Sequence, residues 1–343
     1  MKIVVRGTNW VGDAVMTIPA LRSLRVAFPH AEIVLLTRSW AEGVFRDADF
    51  IDRIITFDAT PSKRRDLASQ RRLLRGEDFD IAVLFTNSFE SALAVSLARI
   101  PRRIGYAKEG RGILLTDAIP IPEWKNERHE VQYYLNLVRE TVRLCDGGPF
   151  ESDPSTALPI AGSRRQAAIE TLRNRGIERS KPLIAFGAGS TNSNAKRWPA
   201  TSYARLNDLL KTRLDAEVIL LGTRDEVDVA AEVAGLSDRR PLILSGETGL
   251  AEAAAILSVC DLVVSNDMGL AHIAPAVGTK TLVIFGPTND RTTRPIGSEI
   301  IRKPFDCAPC MLRECPIDHR CMTSITPDEV FAKALQMLGK EAK

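Results

Sequence analysis

The sequence predicts an α/β protein built from two Rossmann-like, doubly wound parallel-sheet domains. Three observations lead there. Apolar residues come in short continuous runs rather than in strict alternation, helical stretches separate the runs, and a breaker-rich interval interrupts the series near the middle of the 343 residues. Continuous runs suit strands covered on both faces, as in parallel sheets. A chain of this length, 45% hydrophobic, exceeds one ordinary domain and can bury two cores.

In the first half, residues 3–5, 33–36, 54–57 and 81–85 read as buried strands. A helix is expected over about 14–27, with Leu21, Leu24 and Phe28 at helical spacing and Pro19 early enough to be tolerated. Residues 145–159, with Gly147-Gly148-Pro149 and Asp153-Pro154-Ser155, read as a linker. A second series follows at 183–186, 218–221, 242–244, 262–264 and 282–285. Thr326-Pro327-Asp328-Glu329 opens a closing helix that runs to about Leu338, because it supplies a cap, a first-turn Pro and an acid three residues on. The expected organisation is a first domain over 1–155, a second over 156–325 and a final helix in 326–343.

Charge narrows the function. The 46 basic and 43 acidic residues leave only +3, too little for the footprint of a general nucleic-acid binder. No apolar run approaches the roughly 18 to 20 residues of a membrane-spanning helix, and Met1 leads directly into a strand-like Lys2-Ile3-Val4-Val5. A cytoplasmic protein is expected. Six cysteines without an export signal suggest reduced thiols or a metal site before disulfides.

Ligands of open parallel sheets bind beyond the carboxyl ends of the strands, so the loops there carry the chemistry. The first is Gly7-Thr8-Asn9-Trp10-Val11-Gly12-Asp13. It lacks the G-x-G-x-x-G spacing of a dinucleotide site, and Asp13 would repel a pyrophosphate. Asp13 is either a helix-capping acid or a general base exposed at a strand end. The second loop, from Gly187 to Pro199, gathers Gly189, Ser190, Thr191, Lys196 and Arg197. Glycine permits close approach, hydroxyls donate to phosphate and the cations neutralise it, so an anion site competes with a solvated polar loop. In the third, Ser265-Asn266-Asp267-Met268-Gly269-Leu270-Ala271-His272, the amides from Met268 to Leu270 open a helix able to hold a diphosphate. There Asp267 can accept from sugar hydroxyls, and His272 is either a phosphate contact or a packing residue. A weaker element is Gly222-Thr223-Arg224-Asp225-Glu226, where Glu226 or Asp225 would engage ribose hydroxyls or cap a helix.

Trp10-Val11-Gly12-Asp13, Lys196-Arg197-Trp198-Pro199 and Asn266-Asp267-x-Gly269-Leu270-x-His272-x-Ala274, with Asn87-Ser88-Phe89-x-Ser91-Ala92-Leu93 and Arg103-Ile104-Gly105-Tyr106, resemble the lipopolysaccharide heptosyltransferases of glycosyltransferase family 9, within them the heptosyltransferase II group. The motifs keep their order over nearly the whole chain. The resemblance implies a GT-B fold, two domains facing across a cleft, with acceptor on the first and donor on the second. It implies inverting transfer from ADP-L-glycero-β-D-manno-heptose to the first heptose of Hep-Kdo2-lipid A at the inner face of the cytoplasmic membrane, without cofactor or metal. Asp13 is then the base and Lys196 a second catalytic group. Ser190, Thr191, Lys196, Glu226, Asp267, Met268, Gly269, Leu270 and His272 serve the donor. Asn9, Trp10, Gly12, Lys63, Arg64, Asn87 and Ser88 serve the acceptor. Met268 stands where relatives often carry a small hydroxyl residue, which leaves only its backbone for phosphate.

Two further clusters stand out. Ser62-Lys63-Arg64-Arg65 with Arg71, Arg72 and Arg75 is the densest basic stretch, suited to an anionic acceptor or headgroups, or simply a solvated face. Cys307, Cys310, Cys315 and Cys321, with His319 among them, open on C-x-x-C but match no standard ligand spacing. Other readings remain: another GT-B sugar-nucleotide enzyme, such as an epimerase or a transferase with a different donor, or a non-catalytic nucleotide-sugar binding module.

Overall fold

A computed structural model of the chain describes residues 1–58, 60–177, 180–191 and 193–341, with Lys63 described by its backbone alone. The chain divides into two compact units, Met1–Thr156 and Ala157–Lys343.

The first unit holds six strands, β1 (Lys2–Arg6), β2 (Glu32–Arg38), β3 (Arg53–Phe57), β4 (Ile81–Leu84), β5 (Arg102–Tyr106) and β6 (Asp117–Ile119), in the order β3-β2-β1-β4-β5-β6. Every pairing is parallel, with Val5 opposite Leu35 on one side and Val83 on the other. The second unit repeats the plan with β7 (Leu183–Gly187), β8 (Glu217–Leu220), β9 (Leu242–Ile243), β10 (Leu262–Asn266), β11 (Thr281–Phe285) and β12 (Glu299–Arg302), in the order β12-β11-β10-β7-β8-β9, again all parallel. The central strands are buried along their whole length, which is why their sequences read as unbroken apolar runs.

One face of the first sheet packs Val4, Val34, Leu36 and Leu84 against Leu74 and Phe79. In the second unit Phe186, Val218, Val264 and Leu282 pack with Trp198, Tyr203 and Phe331. Each fully buried aliphatic or aromatic side chain contributes roughly 1.5–3 kcal/mol over leaving it exposed.

The strand order matters for function. In each sheet the chain first winds outward on one side, then returns to the centre and winds outward on the other. The reversal lies between β1 and β4 in the first unit and between β7 and β10 in the second. Loops diverge at such a point and leave a crevice at the carboxyl ends of the strands. The Asp13 loop follows β1 and the Asn87-Ser88 segment follows β4; the Lys196 loop follows β7 and the Asp267 segment follows β10.

The single helix expected over 14–27 is two, Val11–Met16 and Ile18–Ala27. The interruption falls at Thr17, whose hydroxyl donates to the Ala14 carbonyl at 2.7 Å, and Pro19, in the first turn of the second helix, has no N–H to continue the first. The closing helix is Pro327–Leu338 and carries the reciprocal bonds of a capping box: Thr326 N–H donates to Glu329 Oε2 at 2.9 Å, and Glu329 N–H to Thr326 Oγ1 at 3.3 Å. Among the described residues no helix is long and apolar enough to cross a membrane.

Candidate active site

At the reversal of the second sheet, Asn266 ends β10 fully buried and ties four points together. Its Oδ1 accepts from the Trp198 amide at 3.0 Å and the Tyr203 hydroxyl at 3.1 Å, while its Nδ2 donates to the carbonyls of Ala188 at 2.8 Å and Gly189 at 3.1 Å. One side-chain amide therefore pins both ends of the Lys196 loop to the neighbouring strand. All four of its hydrogen-bonding valences that face the interior are used, which specifies the loop path.

Next to it, Lys196 Nζ donates to Asp267 Oδ2 at 2.9 Å and to the Asp267 carbonyl at 3.3 Å; Thr288, after β11, donates its hydroxyl to the same Oδ2 at 2.7 Å. The Asp267 side chain is 6% exposed and that of Lys196 27%, so the ammonium is the half of the pair that solvent and ligands can reach. The helix Gly269–Ala276 begins immediately afterwards from Met268, with no side-chain cap on its amino end. Its first amides thus keep the partial positive charge that favours an anion. The Met268 side chain rests over β7: a Cβ on Gly187 would come within 3.2 Å of its sulfur and 2.3 Å of Ser265 Oγ, so only glycine fits there.

Glu226 lies on the other side of the loop, 2% exposed. Its Oε2 accepts from the Thr223 amide at 2.8 Å and closes a capping box, while its Oε1 is buried without a hydrogen-bond partner among the described residues. A Cβ on Gly189 would stand 2.2 Å from that Oε1. The loop backbone passes directly over this carboxylate, and a buried carboxylate oxygen is a strong acceptor for any donor that displaces the loop. Ser190 is buried, and its carbonyl accepts from Arg197 at 3.0 Å. Thr191 is exposed, and His272 is buried at 5% within its helix.

In the first unit, Asp13 is the third residue of the Val11–Met16 helix, half-buried; the helix starts from Trp10 without a side-chain cap. Asn9 accepts at 3.1 Å from Arg6, a guanidinium 4% exposed whose Nε also donates to Gln70 at 3.2 Å. Burial, and then the charge of Arg38, lowers the pKa of Arg6 to about 9, so it remains a cation near neutrality. After β4, Asn87 joins Tyr133 at 3.2 Å and the fully buried Arg111 at 3.2 Å, whereas Ser88 caps the Phe89–Leu97 helix by accepting from the Ser91 amide at 3.3 Å. The helix Glu130–Leu144 meets the second of these loops through Tyr133, which bonds Asn87. Burial, and then the Asp13 carboxylate, push the Tyr134 hydroxyl well above its ordinary range. Trp10 is 55% exposed and Gly12 half-buried at the same edge. Arg64 lies exposed on the separate helix Lys63–Arg75, and the Lys63 side chain is outside the described residues.

Residues 67–320 match the sequence profile of glycosyltransferase family 9 (heptosyltransferase). This chain belongs to glycosyltransferase family 9. Lipooligosaccharide heptosyltransferase 2 of Haemophilus ducreyi is 29% identical over 99% of this chain and 100% of its own length. Lipopolysaccharide heptosyltransferase 2 of Escherichia coli K12 is 28% identical over 99% of each chain. The structure of the E. coli ADP-heptose lipopolysaccharide heptosyltransferase II superposes with a TM-score of 0.82 at 26% identity, covering 98% of both chains. A family 9 glycosyltransferase from Veillonella parvula superposes at 0.84 and, at 21% identity, shares the fold. The family 9 chain is accordingly a glycosyltransferase of the GT-B class.

Within this family 9 enzyme the sequence had marked Lys196, Asp267 and Glu226; the structure sets Lys196 against Asp267 and places Glu226 beneath Gly189 of the same loop. It had not marked Asn266 or Thr288 as site residues, nor Arg6, Arg111 and Tyr133 in the first unit. Asn266→Ala is expected to cost about 3 kcal/mol, since it orphans buried partners that each carry a penalty of about 1–3 kcal/mol. Thermal unfolding checks this; a variant melting within a degree or so of the parent would mean that the Asn266 bonds do not hold the loop.

Proposed function

We propose that this glycosyltransferase moves heptose from ADP-L-glycero-β-D-manno-heptose to the first heptose of the lipopolysaccharide inner core, Hep-Kdo2-lipid A, inverting the anomeric centre. The observation that carries the reading is the end-to-end similarity to proteins named heptosyltransferase 2, which spans both units rather than the donor half alone. In this reading residues 1–155 bind acceptor through Asn9, Trp10, Gly12, Lys63, Arg64, Asn87 and Ser88, and residues 156–325 bind donor. The protein works from the cytoplasm, resting peripherally on the inner membrane where a lipid-linked acceptor is presented.

The chemistry divides between two sets of groups. Asp13 accepts the proton of the acceptor hydroxyl as its oxygen attacks the anomeric carbon; the bond to the donor phosphate breaks with its electron pair leaving on ADP. The amides of Met268, Gly269 and Leu270, the hydroxyls of Ser190 and Thr191, and Lys196 receive the charge that builds on the diphosphate. Asp267 orients Lys196 and accepts from heptose hydroxyls. Glu226 Oε1 accepts from ribose, and His272 supports the helix that presents the amides.

The direct test is incubation with ADP-heptose and heptosylated inner-core acceptor, followed by mass spectrometry. The acceptor should gain one heptose as ADP appears. Donor that binds but is not consumed in the presence of acceptor would instead favour a nucleotide-sugar binding module. Replacing Lys63, Arg64 and Arg65 together by Ala should raise the acceptor KM about tenfold, more at low ionic strength, with the donor KM unchanged; an unaltered acceptor KM would make this helix a solvated face.

A further inference from the structure

Between β12 and the Arg320–Thr323 helix, residues 303–319 form neither helix nor strand. Irregular segments beyond about 12–15 residues are uncommon in compact domains and need something to hold them. Apolar packing anchors only its beginning, where Phe305 and Ala308 lie against the core; Met311, Leu312 and Ile317 beyond them are 61%, 46% and 64% exposed. What the segment does bring together is sulfur. Cys307, Cys310, Cys315 and Cys321 line one small pocket with His319, and all are free thiols. The His319 amide points at Cys315 Sγ at 3.3 Å, a backbone donor aimed at sulfur of the kind that steadies a thiolate.

We propose that these four cysteines form a structural site for a thiophilic transition metal, zinc or iron, that clamps the donor-binding loop. Four sulfur donors select these metals over magnesium or calcium, and binding converts thiols to thiolates with release of their protons. Among the described residues, as they are placed in the structure, no group of three or more His, Cys, Asp or Glu side chains could hold a metal ion. Closing the set therefore takes rotamer changes, which the exposed Cys307 and Cys310 are free to make.

The clamp follows from what the segment touches. The carbonyl of Arg313 accepts from the Ala195 amide at 3.0 Å and from Ser193 Oγ at 3.1 Å; Glu314 accepts from Asn194 at 2.8 Å; and His319 Nε2 lies 2.7 Å from the Ala195 carbonyl. Each of those partners sits within three residues of Lys196. A metal that orders the cysteine segment thus orders the loop that presents the ammonium, without touching substrate itself.

The test is elemental analysis of the untagged full chain, purified without oxygen and washed with a chelator, beside Cys307→Ser/Cys310→Ser and a Cys145→Ser control. About one zinc or iron per chain is expected in the parent and the control, falling to background in the double variant. The double variant should also show a several-fold higher donor KM. Metal content does not depend on the proposed sugar donor, so it can fail or succeed apart from that reading. Far less than one metal per chain with all four thiols alkylating freely in the native protein, a disulfide among them, or undiminished metal in the double variant would each overturn the site.

Discussion

Asp13→Asn is expected to lower kcat by about 10² to 10⁴, the usual worth of a positioned base, while ADP-heptose binds almost as before. Asn keeps the shape and the place in the first turn of the Val11–Met16 helix but cannot take up a proton at neutral pH. The helix itself should survive, because its start at Trp10 does not depend on a side-chain cap. Steady-state kinetics with both substrates varied, alongside thermal unfolding, separates the two effects. Near-normal turnover would remove Asp13 from the reaction and leave it a helix-start acid; a large fall in melting temperature would assign the loss to folding.

Lys196→Ala should reduce kcat by about 10² to 10³ and raise the donor KM as well, since a preorganised cation at a site of developing charge acts on the bound and the reacting diphosphate together. The geometry adds a second consequence. Asp267 is 6% exposed and its Oδ2 accepts from both Lys196 and Thr288, so removing the ammonium leaves a buried carboxylate that, among the described residues, keeps the neutral Thr288 hydroxyl as its donor. That carboxylate would oppose a diphosphate nearby. Lys196→Ala/Asp267→Asn should therefore bind ADP more tightly than Lys196→Ala, which isothermal titration measures. A Lys196→Ala enzyme with unchanged donor KM would show that the pair braces the loop without meeting the donor.

The two sheets were legible in the sequence because their central strands are covered on both faces and so have to be apolar throughout. The edges were not. β5 begins with Arg102-Arg103, β6 spans only Asp117–Ile119, and β12 is partly exposed along its length, so none presents an apolar run. The break at Thr17 was hidden as well, since Pro19 interrupts the hydrogen bonding without any lapse in the apolar periodicity.

The site divides the same way. Lys196, Asp267 and Glu226 announced themselves as charges in loops that follow buried strands. Asn266 stood in the quoted loop and motif without a role of its own, and that role emerges only from bonds to residues more than sixty positions away. Thr288 is an ordinary threonine after Gly286-Pro287 until β11 lays it beside Asp267. Arg6 and Arg111 are cations that sequence alone would place in solvent; both are instead buried on carbonyls and amide oxygens, among them Asn9 and Asn87 of the two first-unit loops. The strand carboxyl end after β11 was the signal available for Thr288, and no comparable signal marks Arg111.

Crystals grown with ADP-heptose would show where the diphosphate sits in the second unit. It should lie within hydrogen-bonding distance of the Gly269 and Leu270 amides and of Lys196 Nζ, with a ribose hydroxyl on Glu226 Oε1. A diphosphate bound elsewhere, with Lys196 still closed on Asp267 and Glu226 Oε1 still without a partner, would contradict the donor site described for this enzyme.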